Sequence, residues 1–152
     1  MIAQTFIIKS LYVQNMIMLF SLSIVVFLLT RSLLKKKLKH TIVFSVWVLI
    51  IFWFFNSPFF GFSVVSISPG GIQLNYGALS FKKNTVLPLD SPWKIETSFS
   101  GIRKIKKLYF LKIGDHRSMK VRGVKDFRLL QAIGRAIEDG MKSRKTTLLM
   151  VS

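Results

Sequence analysis

Two long apolar runs fill the first 60 positions, and beyond them the chain turns to short alternations of apolar and polar residues broken by turn signals. The first run, SLYVQNMIMLFSLSIVVFLLT, sets 21 uncharged residues between Lys9 and Arg31. At about 1.5 Å per residue this predicts a helix long enough for a hydrocarbon core of roughly 30 Å. Gln14 and Asn15 fall near one end, within reach of the head-group zone. The second run, TIVFSVWVLIIFWFFNSPFFGF, has a core from Ile42 to Phe55 and needs the residues through about Phe60 to span. Asn56-Ser57-Pro58 marks a kink or its boundary, because proline disfavours helical geometry in the residue before it. Trp53 and the Phe pairs around it suit an interfacial aromatic belt. The first run lacks a basic start beyond Lys9 and a small-residue cleavage site, so cleavage as a signal peptide is not expected. A helix buried in a soluble protein is the competing reading, but little else in the chain could surround it. The pattern therefore predicts a transmembrane hairpin over residues 1–60, with spans at about 10–31 and 41–60.

After the second run the period shortens. FSVVSI, then SPGG, then IQLNY reads as two strands joined at Pro69-Gly70-Gly71, where glycine tolerates the backbone of a tight turn. ALSFKKNTVLPL reads as further strand with a break near Lys83-Asn84, and WKIET follows a Ser91-Pro92 turn. KLYFLKI, GDHR and SMKVRG give a second hairpin bent at Gly114-Asp115. From Lys125 to about Ser143, Phe127, Leu130, Ile133, Ile137 and Met141 recur at steps of three and four, the stripe of an amphipathic helix. Gly134 weakens that helix but lets it lie close to a sheet. Residues 144–152 read as a flexible tail. Five to seven strands closed by one helix make an α+β module over 61–143.

Charge sharpens this division. The chain carries a net +17, yet residues 1–60 hold only six basic residues (Lys9, Arg31, Lys35, Lys36, Lys37, Lys39) and no acid. Five of these crowd into RSLLKKKLKH, residues 31–40, between the two apolar runs. Clustered Lys and Arg beside a span stay on the cytoplasmic side, which would put both chain ends outside. Binding of lipid phosphates on whichever side they occupy is the alternative role for Arg31, Lys35, Lys36, Lys37 and Lys39. The other 17 basic residues and all six acids lie in the second part.

The segments VSISPGGIQLNYGALSFKKNTVLPLD, LYFLKIGDHRSMKVRGV and KDFRLLQAIGRAIEDG resemble the bacterial pleckstrin-homology-like (PH-like) domains that follow transmembrane hairpins in small membrane proteins. The likeness spans about residues 61–142: a glycine before Ile72, the Leu87-Pro88-Leu89 step, and Gly123-Val124 leading into the closing helix. It implies a β-barrel or sandwich of short antiparallel strands closed by the C-terminal helix, in a multi-pass protein of the bacterial inner membrane. It also implies a cytoplasmic module, opposite to the side the charge cluster implies.

Chemistry is sparse. Without cysteine there is neither a disulfide nor a thiolate metal site. His40 and His116 have no converging ligands at usable spacing, and His116 reads as a solvated turn residue. The acids are scattered, and the adjacent Glu138 and Asp139 do not face each other on a helix. Gly70-Gly71 lacks the lysine and helix of a phosphate loop, and Ser100-Gly101 lacks a nucleophile elbow. The expectation is a non-enzyme without cofactor.

What remains is GIRKIKKLYFLK, with Arg103, Lys104, Lys106, Lys107 and Lys112. Lysines there can block unwanted pairing at a strand edge. They can equally form an anion-binding rim, joined by Lys82, Lys83, Arg117, Lys120 and Arg122. Each cation near an anionic bilayer is worth about 1 kcal/mol, and tethering lets weak contacts suffice. The expected partners are anionic lipid head groups, an acidic protein, another membrane protein or a second copy. Nucleic acid is disfavoured, since Tyr109 and Phe110 alternate with Leu108 and Leu111 as a β-core does. The sequence thus points to a non-catalytic interaction or scaffold module at the bilayer. The alternative of another class is an immunity- or exclusion-type protective protein, or an accessory subunit of a membrane complex, working through its hairpin.

Overall fold

The structure, a computed structural model, describes residues 2–54, 60–77 and 80–151. It divides into two units, Leu11–Asn56 and a second made of Met1–Ser10 with Ser57–Ser152.

The first unit holds α1 (Tyr12–Leu34) and α2 (Leu38–Phe54), which pack on each other across the connection at 35–37. Their apolar side chains point outward on all sides, Phe20, Phe27, Trp47 and Leu49 among them. α1 is long and apolar enough to cross a membrane, whereas α2, at 17 residues, falls short of that length. Completion of the second run through Phe60, with its kink at Asn56-Ser57-Pro58, lies outside the described residues.

The second unit corrects the expected boundary at residue 60. Gln4–Ile7 forms a strand, β1, ahead of both helices and pairs antiparallel with β2 (Val64–Ser68) in the register Thr5 to Ser66. β3 (Gly71–Asn75) and β4 (Thr85–Leu87) complete a four-stranded antiparallel sheet in the order β1-β2-β3-β4. Alternation dictates its inner face: Val65 stands opposite Leu74, and Ile67 opposite Ile72, all fully buried. Gly71 closes the Pro69-Gly70 turn at φ 142°, and a Cβ there would strike the Leu87 carbonyl oxygen at 2.5 Å. Of the strand expected over ALSFKKNTVLPL, only β4 forms among the described residues, and 78–79 lie outside them.

The second sheet contains β5 (Trp93–Ser100), β6 (Lys106–Ile113) and β7 (His116–Arg117), also antiparallel. Gly114, at φ 56°, supplies the positive-φ position of the tight β6–β7 turn. The strand expected over SMKVRG is interrupted. Continuing the β6–β7 register would set Lys120 opposite Tyr109, but Val121 stands there, so one extra residue is inserted as a bulge. The Ser118 hydroxyl stabilises the bulge, accepting from the Leu111 N–H (2.8 Å) and donating to the Met119 carbonyl (3.0 Å). The sheets meet where the Phe62 N–H donates to the Arg117 carbonyl (3.0 Å) and the Met119 N–H to the Phe62 carbonyl (2.9 Å). They form two sheets, and the described strands do not close into a barrel.

α3 (Val124–Val151) lies over this core. Leu130, Ile133 and Ile137 are buried as the stripe predicts, and Phe127 packs on Tyr109 with ring centroids 4.8 Å apart and the ring planes tilted by 52°. The helix continues through Val151, where a flexible tail from 144 was expected. No Gly or Pro follows Gly140 to stop it. The fold is α+β.

Gly134 faces the six-membered ring of Trp93, which a Cβ would overlap. Gly134→Ala gains up to about 1 kcal/mol of helix propensity but forces an overpacking cost of about 1–3 kcal/mol. Denaturant melts of the full chain in detergent are expected to show net destabilisation. Stabilisation by the propensity increment would contradict this packing.

Candidate anion-binding surface

Strand register, invisible in the sequence, assembles the surface. Lys94 on β5 stands opposite Lys112 on β6, and Lys112 opposite Arg117 on β7. Three cations thus form one row across three strands, on the face turned away from the core residues Ile95, Leu111 and Ile113. Like charges directly opposite each other in a sheet are destabilising, so the row needs compensation. Part of it is internal. The Lys94 ammonium lies 2.6 Å from a Glu96 carboxylate oxygen, and the Arg117 guanidinium sits 5.8 Å from the Phe110 ring centroid. Glu96 is held below the usual carboxylate range, first by the Lys94 hydrogen bond and then by the fields of Lys94, Lys112 and Arg117. Lys120 joins the same face by donating to the Ser98 hydroxyl at 3.3 Å.

The β5–β6 hairpin carries the second group. Arg103 and Lys104 lie in its exposed bend, and Lys106 and Lys107 open β6. Beside them in the same hairpin Phe99, Ile102 and Ile105 are exposed, Ile102 completely. Lys107 reaches back to 5.6 Å from the Tyr109 ring centroid. Lys106 and Lys107 pair with β5, but among the described residues β7 pairs with β6 only at Lys112 and Ile113, so the other edge of β6 is open beside these lysines and edge blocking is a sufficient role.

The ten cations expected to share a rim are therefore divided. Lys112, Arg117 and Lys120 share the outer face of the second sheet, and Arg103, Lys104, Lys106 and Lys107 cluster at its hairpin tip. Lys82 and Lys83 are exposed in the β3–β4 connection of the other sheet, and Arg122 is exposed just before α3. Arg31, Lys35, Lys36, Lys37 and Lys39 belong to the helical unit. Sequence reasoning missed Lys94. Its signal was alternation within WKIET, which puts Lys94 and Glu96 on the face opposite Trp93 and Ile95.

Two further features compete for a role. A groove of about 540 Å³ between β1 and α3 is lined by Phe6, Ala132, Arg135 and Asp139 among others, and its one cation and one acid offset each other. His116 departs from the expected solvated turn residue: it is half-buried, with its Nδ1 2.5 Å from the hydroxyl of fully buried Tyr76. Among the described residues no group of three or more His, Asp or Glu converges as a metal site.

In comparisons with protein-family models, with curated proteins and with solved structures, nothing matches this chain.

Burial pushes the Tyr76 hydroxyl from 10.0 up to about 12. Its contribution to stability is full below the unfolded-state value and is lost as pH rises toward the folded one. The stability difference between the native chain and Tyr76→Phe should stay flat to about pH 10 and shrink from there to about pH 12. Melts across that range test it, and a pH-independent difference would contradict the buried phenol.

Proposed function

We propose that the chain is a membrane-anchored, non-catalytic docking module whose basic β5–β6 hairpin binds anionic lipid head groups. The observation that carries this reading is the hairpin itself. Exposed Phe99, Ile102 and Ile105 are interleaved with Arg103, Lys104, Lys106 and Lys107, and the strands below lead to the Lys94–Lys112–Arg117 row. Apolar tips enter the interface while cations hold phosphates at its rim.

The anchor is α1 with α2. Their outward apolar surface is of the kind that soluble monomers rarely expose and that marks a membrane or protein contact. The hydroxyls of Ser23, Thr30 and Ser45 each donate to the carbonyl four residues back (2.8–2.9 Å), which satisfies them without solvent. The pairing of β1 with β2 favours two crossings, since the chain must return to the side it left. Two antiparallel sheets closed by a C-terminal helix agree with the PH-like reading.

A second reading rests on the outward apolar faces of α1 and α2, Phe20, Phe27, Trp47 and Leu49 among them, which suit packing against another membrane helix. On that reading the helices are the working surface of a protective protein or an accessory subunit. The combined Arg103→Ser, Lys104→Ser, Lys106→Ser and Lys107→Ser variant would then keep its activity.

The test uses the absence of native cysteine. Ile102→Cys, labelled with a polarity-sensitive fluorophore, is reconstituted as the full chain in phosphatidylcholine nanodiscs with or without phosphatidylglycerol. Blue-shifted emission is expected only with the anionic lipid, reversed by salt and by the fourfold Ser variant. Each cation contributes about fivefold at low salt. Glu96→Gln removes the acid beside the row, so more salt should be needed for release. Identical emission in both lipids would overturn lipid docking and leave an acidic protein as the partner to seek.

A further inference from the structure

The connection between α1 and α2 is more than a turn. The Lys37 carbonyl accepts from the Ser32 hydroxyl (3.1 Å), the Thr41 hydroxyl (3.1 Å) and the Thr41 N–H (3.0 Å), and the Lys37 N–H donates to the Ser32 carbonyl (3.1 Å). The two hydroxyls lie 3.0 Å apart, and Ser32, near the end of α1, is one of that helix's two buried residues, with Met18. This network holds Lys36 in the left-handed region, at φ 53°, a conformation that costs a non-glycine residue about 1 kcal/mol or more.

Beside the locked turn is a concavity of about 260 Å³. Arg31, Lys35, Lys37 and His40 line it together with Ser32, and Leu28 and Phe44 complete the lining one helical turn further from the connection. The His40 ring stacks on Phe44, with centroids 6.5 Å apart. The N-terminus of α2 adds its partial positive charge. No Asp or Glu occurs before Asp90, so the helical unit contains no carboxylate to neutralise these cations. Topological retention would account for the charge, but it requires neither a concavity, nor an apolar floor, nor a buried serine.

We infer that this concavity binds an anionic phospholipid, its phosphate among Arg31, Lys35 and Lys37 and the start of an acyl chain against Leu28 and Phe44. Charge next to the connection and apolar surface one turn away match the order of groups in such a lipid. The apolar residues favour it over free phosphate. The inference rests on the proposed membrane anchoring of α1 and α2, but concerns a site separate from the β5–β6 hairpin.

Native mass spectrometry of the full chain released from detergent, offered equal phosphatidylglycerol and phosphatidylcholine, tests it. A preferential phosphatidylglycerol adduct is expected. Combined Arg31→Gln, Lys35→Gln and Lys37→Gln should weaken it on the order of 100-fold, from about fivefold per cation. Leu28→Trp, which narrows the concavity without changing charge, should also reduce the preference. The fourfold Ser variant of the hairpin should retain it. Equal adducts of both lipids, full preference in Leu28→Trp, or displacement by inorganic phosphate would overturn the assignment. Failure of the anchoring premise has a different signature: alkaline carbonate would extract the chain from membranes.

Discussion

The pairing of β1 with β2 is the constraint on which the rest of the structure depends. It joins residues 61 apart in sequence, with the Thr5 and Ser66 hydroxyls 3.0 Å from each other. Everything between them must leave the sheet and come back. Loop-closure entropy grows only slowly with length, so the excursion is tolerable, and two helices that pack on each other shorten it further. The intervening residues are also the most apolar of the chain. On the proposed reading they run into the bilayer and return, and the strand before them and the domain after them share one side.

Charge is the second organising feature. The helical unit has cations and no acid, and the second sheet sets three cations in line with a single carboxylate close by. Neither arrangement minimises the energy of an isolated molecule, because like charges opposed across strands or gathered round one turn repel. Both make sense if the compensating charge lies outside the chain. On the proposed reading an anionic membrane supplies it at both places, the hairpin tip by interfacial docking and the helical connection by a lipid held in a concavity.

Much of the fold was legible because its signals are local. Pro69-Gly70-Gly71 and Gly114-Asp115 marked the turns between paired strands, and the steps from Phe127 to Ile137 marked the face of α3. The use of Gly134 for close approach could also be read, since Trp93 occupies the space a side chain would need. The parts that were not legible depend on non-local register. β1 is four residues long with no turn signal, and its partner lies beyond both helices. The row Lys94–Lys112–Arg117 depends on which residues face each other across strands, and spacing along the chain does not give that. The bulge between Ser118 and Val121 breaks the alternation that made SMKVRG look like a plain strand. His116 looked solvated because nothing near it in sequence shows that Tyr76 reaches it from the end of β3.

The most direct measurement is a disulfide test of β1 against β2. Thr5→Cys and Ser66→Cys, placed together in a chain with no other cysteine, face each other across the two strands. Antiparallel neighbours lie within the Cα range a disulfide needs. Mild oxidation of the full chain in membranes should convert it to an intramolecular disulfide nearly completely, while Thr5→Cys paired with Cys at Ser98, in the other sheet, should remain reduced. Failure of the first pair to close, or equal closure of both, would contradict a sheet that joins the chain on either side of its apolar helices.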